Sequence, residues 1–427
     1  MDYTNHKLRR EWTPPLPMSA SFLPALPFHL SYPLLFGVLL VAGMLGGELA
    51  RALRAPRIIG YVVVGFVFGP LATAMGLGLL IDEGRIFVDL ALGLVLFDLG
   101  RRMDVKWLRR DWTLAASSLA ESALTFGAVY ATLLAFDFRP AHAGIAAAIA
   151  MTTAPSVVLL TVHDTRSEGQ VTERSLNLAA LNGLLASIIV TIMLGSAHLE
   201  ARMDVETAIL HPLYLFAGSA AIGGTMAWAA RSLARAVEKD REVHFSLIAG
   251  LVVAAVGLAT LLKLPVILAL LAFGLFSRND ERGYELLNVN LAPIGRLLYI
   301  VLFVITGASM PLPLLAAGGV IALAVVAARA AGKMLGVLLV APFGGLRLKQ
   351  TTGLGLALLP MSSLALLLHH DIARIYPEYG QEMSAVLVGA IIVMEVVGPV
   401  AVQYGLSLAG ETLPDPDAAG ERRSHAA

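Results

Sequence analysis

The chain has 427 residues, of which 57% are hydrophobic and 15% charged, with a mean hydropathy of +0.76. An ordinary soluble protein runs about 45–50% apolar and about 25% charged, so these values exclude one and indicate a polytopic membrane protein. Lys+Arg and Asp+Glu balance at 31 each, which leaves no net field for a nucleic-acid or polyanionic partner, and zero cysteines exclude disulfides and thiol chemistry.

The N-terminal tail, 1–32, carries Lys7, Arg9 and Arg10, then prolines and short apolar stretches. It does not read as a cleavable signal peptide, so the first helix is expected to insert as its own anchor. At about 20 apolar residues per span, fewer for interior helices, thirteen segments follow: 33–50, 58–75, 86–100, 113–136, 141–162, 176–197, 212–230, 245–262, 265–277, 294–307, 317–341, 352–368 and 384–408. The remainder, 409–427, drifts into Pro, Asp and Glu and is expected to be a disordered tail. Of the basic residues outside the spans, twenty fall in connections on one side and eight on the other. Lys and Arg concentrate on the cytoplasmic side, which puts the C-terminus inside and the N-terminus outside a cell inner (plasma) membrane.

Two features give this array internal order. Pro56-Arg57-Ile58-Ile59-Gly60 opens the second segment, with Gly65 and Gly69 behind it, and Leu264-Pro265-Val266-Ile267-Leu268 opens the ninth in a similar way. Two five-helix repeats, 57–197 and 264–408, result, and an odd number of helices in each makes them antiparallel. The fourth segment of each repeat is interrupted near its middle, by Thr152-Thr153-Ala154-Pro155-Ser156 and by Pro360-Met361-Ser362-Ser363. Backbone groups freed by a break have no water to bond in hydrocarbon, so such breaks survive where they line a protein cavity. A matching pair points to a transporter site at the midplane, where half-helix ends meet. The alternative is that each proline merely kinks its helix.

Charges inside spans cost about 2.5–3.5 kcal/mol on insertion scales, so each asks for a function or a partner. Arg329 and Lys333 lie one turn apart on one face of the eleventh segment, beside Gly332 and Gly336. They read either as cations in the ion path or as a structural pair satisfying helix-end carbonyls. Glu121, mid-way along the fourth segment, must find a partner on another helix or stay protonated. Asp98 is expected to pair locally with Arg101 or Arg102, and Glu395 reads as a second proton site or a packing residue. His369-His370-Asp371 resembles a metal cluster but falls at the end of a span, where interfacial polar residues are expected. The spans carry no nucleophile–base or metal-ligand spacing that suggests an enzyme.

These residues resemble the monovalent cation:proton antiporter family 2, the Kef and NapA-like branch of sodium or potassium/proton exchangers. The likeness covers about 33–408. It rests on Pro56 to Tyr61 through Gly69-Pro70, Ala154 to Leu159, Gly169 to Glu173, Arg329 to Lys333, Gly355 to Pro360, and Tyr376 to Gly380 leading to Glu395-Val396-Val397-Gly398-Pro399. The resemblance implies thirteen helices divided into a dimerisation part and a six-helix core, crossed broken helices, elevator-like alternating access and a homodimer. It implies no cofactor beyond the transported Na⁺ or K⁺ and the proton. It also implies an ion-binding carboxylate after the first break, in an Asp-Asp, Asn-Asp or Gln-Asp pair. The matching stretch here is Leu178-Ala179-Ala180-Leu181-Asn182-Gly183, which keeps the Asn and puts Gly where the acid belongs.

Three outcomes stay open for a site without that acid: Lys333 carries the proton itself, Glu121 takes over as the carboxylate, or transport is lost and the protein serves as a membrane sensor or partner-binding subunit. The expected site has Thr152, Thr153 and Ser156 lining it with hydroxyl and freed backbone oxygens and Asn182 orienting it. Glu121 supplies charge, Lys333 and Arg329 compete with the cation, and Ser362 and Ser363 line the second crossover.

Overall fold

The computed structural model describes residues 32–74, 85–103, 111–202, 205–237, 241–279, 292–361 and 363–413. The expectations placed on 1–31, on Ser362 and on 414–427 lie outside the described residues. The chain divides into Met1–Val38, of which the described part is the start of one helix, and Leu39–Ala427, to which everything below refers.

The described residues form fifteen α-helices: α1 (Tyr32–Ala52), α2 (Arg57–Ala74), α3 (Arg85–Arg102), α4 (Trp112–Ala135), α5 (Pro140–Ala150), α6 (Pro155–Thr165), α7 (Gln170–Arg202), α8 (Val205–Ala236), α9 (Arg241–Leu261), α10 (Val266–Asn279), α11 (Ala292–Ala308), α12 (Leu312–Val340), α13 (Leu348–Ala357), α14 (Ser363–Ile375) and α15 (Pro377–Ala409). With α5/α6 and α13/α14 each counted as one interrupted helix, the described helices number thirteen, one for each apolar segment; among the described residues seven are long and apolar enough to cross a membrane, and three more are shorter apolar helices. Proline opens α5, α6 and α15 at the first helical position, where its missing N–H costs nothing. Counting by apolarity underestimates α7 and α15. Both begin with a polar turn, Gln170 to Glu173 and Pro377 to Glu378, which is helical without being apolar. In α12 the chain bends at Gly319, whose φ of +46° suits glycine.

The helices pack in two bundles. One holds α4, α5/α6, α7, α12, α13/α14 and α15; the other holds α2, α3, α8, α9, α10 and α11, joined by the part of α1 from Leu39 on, whose Gly43, Gly46 and Gly47 lie against α11 and α2. Contacts within each far outnumber those between them, which run through α6, α7 and α15.

Two helix pairs in the second bundle, α2 with α11 and α10 with α3, make matching contacts. A Cβ on Gly65 of α2 would lie 2.3 Å from the Val304 carbonyl of α11, and one on Gly274 of α10 would lie 2.2 Å from the Phe97 carbonyl of α3. The reverse contacts match as well: Gly307 faces the Val62 carbonyl and Gly65, and Gly100 faces the Leu271 carbonyl and Gly274. The same backbone-to-backbone approach is thus built twice from small residues, as membrane helix packing favours.

The first bundle is clamped at both ends. Asp111 caps α4 through Thr113 N (3.1 Å) and pairs with Arg174 of α7 (2.7 Å). At the opposite end Arg139, just before α5, pairs with Glu378 of α15 (3.1 Å), and His142 Nδ1 lies 2.5 Å from Glu382 Oε2. One correction concerns the C-terminal boundary. Glu411, assigned by sequence to the tail, caps α7: its carboxylate accepts from Val171 N, Thr172 N and Thr172 Oγ1, each at 2.8 Å. The first N–H groups of a helix have no partner within it, and residues 409–413 are folded because they meet that need.

Candidate functional site

The two interruptions meet each other directly. Ala154 N, at the first, donates to the Pro360 carbonyl at the second (2.9 Å), and Thr153 Oγ1 donates to the Leu358 carbonyl (3.1 Å). The α5/α6 span is 94% buried, against 22% for α12, so the break is shielded by protein. Alanine-rich α5, with Ala146, Ala147, Ala148 and Ala150 all enclosed, lets its neighbours approach closely enough to do this.

Arg329 resolves most of the freed backbone. Its Nε donates to the Ala150 carbonyl (2.8 Å), Nη2 to those of Thr152 (2.6 Å) and Pro360 (3.1 Å), and Nη1 to that of Leu359. A guanidinium has five N–H donors in a fixed fork and accepts nothing; here four of them hold the carbonyl-rich ends of α5 and α13 together. Its side chain is 1% exposed. Of the two roles open to Arg329 from sequence, this geometry supports the structural one.

Lys333, one turn further along α12, faces a different set of oxygens. Its Nζ lies 2.8 Å from Glu121 Oε2 of α4, 2.9 Å from the Met151 carbonyl and 3.1 Å from Thr153 Oγ1, so all three ammonium protons are used. Both members of the ion pair are 0% exposed. The close approach of α4 and α12 depends on Gly332 and Gly336: a Cβ on Gly336 would fall 2.2 Å from Glu121 Cα. Asn182 of α7 completes the cluster, donating from Nδ2 to Thr153 Oγ1 (3.1 Å) and accepting from Ser118 Oγ at Oδ1 (3.0 Å).

The structure therefore brings Glu121, Lys333, Thr153 and Asn182 together. Thr152 turns its hydroxyl back to the Ile149 carbonyl (2.8 Å) and presents only its own carbonyl, to Arg329. Ser156 and Ser363 sit in the first turns of α6 and α14, buried, with hydroxyls that have no hydrogen-bond partner among the described residues. Glu395 is enclosed on α15, Asp98 pairs with Arg102 (3.1 Å), and His369, expected at the interface, is buried with Nε2 3.0 Å from Ser384 Oγ. Ser118 escaped the sequence reading. Its signal was the polar stripe Ser117, Ser118, Glu121, Ser122 and Thr125, which falls on one face of α4 at helical spacing and is buried throughout.

Gly183 lies one residue beyond Asn182. A Cβ there would meet Leu364 Cδ2, in the first turn of α14, at 3.3 Å, so the position faces the start of the second half-helix with only a flexible side chain in the way.

A family model for the sodium/hydrogen exchanger, transmembrane, matches residues 36–405. The chain belongs to that family. Two solved structures of the sodium proton antiporter MjNhaP1 from Methanocaldococcus jannaschii share its fold. One, at pH 8, has a TM-score of 0.63 at 17% identity and covers 90% of this chain and 99% of that one. The other, from an electron-microscopy map, has a TM-score of 0.67 at 16% identity and covers 89% and 98%. No curated protein matches the chain. This exchanger is accordingly an all-α, multi-pass membrane transporter of the cation:proton antiporter class and not an enzyme.

Proposed function

We propose that the exchanger moves Na⁺ or K⁺ against protons by alternating access, with Glu121 as the exchangeable carboxylate in place of the acid that Gly183 lacks. The observation that carries this reading is the Lys333 ammonium held by three oxygens, from Glu121, Met151 and Thr153. Hard cations take oxygen ligands, and the ammonium stands in for such an ion. When Lys333 releases its proton and withdraws, a monovalent cation takes the same oxygens with no change in buried charge. Charge is costly in this setting, so one proton leaves for each cation bound. Arg329, committed to the backbone, stays out of that competition. The basic side of the connections is the cytoplasmic side, with the C-terminus within, and the exchanger works as a homodimer in the inner membrane.

The test is dye-reported proton movement in proteoliposomes carrying the purified protein, with Na⁺, K⁺ or Li⁺ pulsed outside. Cation-dependent alkalinisation of the lumen is expected. No response to any of the three across the neutral pH range sinks the exchange reading in favour of a membrane sensor. Gly183→Asp is expected to enlarge the signal, because its carboxylate sits at the N-terminal, positive end of α14 and adds a second acid near the crossover. A signal identical to wild type would show that the Gly183 departure does not limit exchange.

A further inference from the structure

One ion pair crosses the boundary between the two bundles far from the crossover. Arg57 begins α2, in the second bundle, and Asp164 lies in the last turn of α6, in the first; Arg57 Nη1 and Asp164 Oδ1 are 3.2 Å apart. Both charges sit at the helix end that disfavours them, since a helix N-terminus repels cations and a C-terminus repels anions. The pair is also incompletely satisfied: Arg57 Nε and Asp164 Oδ2 are buried with no hydrogen-bond partner among the described residues. The side chains are 25% and 15% exposed. Leaving buried polar atoms unpaired is unfavourable, so this contact is a poor device for static stability and a suitable one for a contact that must come apart.

A second acid makes separation cheap for the arginine. Glu48 of α1, in the same bundle as Arg57, places Oε1 3.1 Å from Arg57 Nη2. Arg57 is therefore shared between an acid that moves with it and one that belongs to the other bundle. Asp164, for its part, is carried by the half-helix that begins at Pro155, directly after Thr153 and Ala154 of the crossover. Any displacement of α6 along α2 acts on this contact and on the ion site together.

We propose that Arg57 and Asp164 form a latch between the bundles. It is closed in this conformation, where Glu121 and Lys333 are sealed from solvent, and it opens when the site-bearing bundle shifts, Glu48 retaining Arg57 as Asp164 leaves. The proposal rests on the alternating-access reading above. It assigns Arg57, Asp164 and Glu48 to positioning: none of them touches the ion site.

Because the chain has no cysteine, a single Ser156→Cys change reports exposure of the crossover. The full-length protein in proteoliposomes is treated with a small charged methanethiosulfonate, and the labelling rate is compared across variants. Asp164→Asn and Arg57→Gln are each expected to raise the rate about fivefold, the size of shift that losing a partly exposed ion pair gives. Glu48→Gln is expected to lower it, because Arg57 is then left to Asp164 alone, and Arg57→Lys falls between Arg57→Gln and the starting protein. Opposite signs for two acid neutralisations beside one arginine are not expected of a merely structural contact. Equal rates in all variants, or a rise in both Asp164→Asn and Glu48→Gln, overturn the latch. If Asp164→Asn is not recovered folded, Arg57→Gln gives the same reading from the other side of the pair. Labelling needs no ion transport, so an intact labelling pattern without cation-driven proton movement counts against the exchange reading and leaves the latch standing.

Discussion

Arg329→Ala is expected to cost the exchanger its fold before it costs transport. The change strips donors from the carbonyls of Ala150, Thr152, Leu359 and Pro360 at once, all at a crossing that protein shields from water. The Pro360 carbonyl keeps the Ala154 N–H, so three carbonyls lose their donor; each buried group left unsatisfied costs about 1–3 kcal/mol, and the sum is about 3 kcal/mol or more, against a total stability of about 5–15 kcal/mol for a typical domain. The measurement is the yield of monodisperse protein in detergent together with its thermal melt. Loss of the monodisperse peak, or a melting temperature lowered by about 10 °C or more, is the expected result. Arg329→Lys should recover part of it, since an ammonium has three donors and no planar fork. A melt within a degree or two of wild type would mean that water, or the chain itself, can satisfy those carbonyls.

Lys333 and Glu121 behave differently because each carries the other's counter-charge, Lys333 Nζ lying on Glu121 Oε2. Lys333→Ala leaves an enclosed carboxylate without its ion-pair partner, and breaking a buried pair from one side costs about 3–5 kcal/mol. Removing both charges together, as in Glu121→Leu with Lys333→Met, is expected to restore most of that stability, because an apolar pair of similar volume can replace a buried ion pair at little cost. Transport follows the opposite rule: Glu121→Gln, Lys333→Ala and the double change should all give no cation-driven proton movement above that of empty liposomes. A double variant that melts as low as Lys333→Ala argues that packing, not charge, dominates the contact between α4 and α12. Retained exchange in Glu121→Gln argues for another carboxylate.

Much of this architecture is legible in the chain because the bilayer enforces it. Hydrocarbon demands apolar spans of near-constant length, so thirteen segments can be counted, and it forbids unsatisfied backbone, so Pro155 and Pro360 with their hydroxyl neighbours stand out as breaks. The site is legible only in its parts. Sequence marks Glu121, Arg329 and Lys333 as charges in need of partners, yet two cations one turn apart on α12 look alike until their surroundings are known. One meets carbonyls and the other a carboxylate, a difference set by α4 and by the two crossovers, not by α12 itself. The same holds for Arg57 and Asp164, which are 107 positions apart and read separately as ordinary charges near helix ends. Ser118 was readable from the spacing of the polar stripe on α4, whereas Glu411 as the cap of α7 was not, because nothing local joins residue 411 to residue 171.

If a cation and a proton compete for the Glu121–Lys333 pair, calorimetry of cation binding to the purified exchanger detects it without any need for transport. Titrating Na⁺ or K⁺ in two buffers of different ionisation enthalpy measures the protons released on binding. Release of about one proton per cation is expected in the wild type, as buried charge is conserved, and neither binding nor release in Glu121→Gln. Cation binding with no proton released, or release that persists in Glu121→Gln, would contradict it.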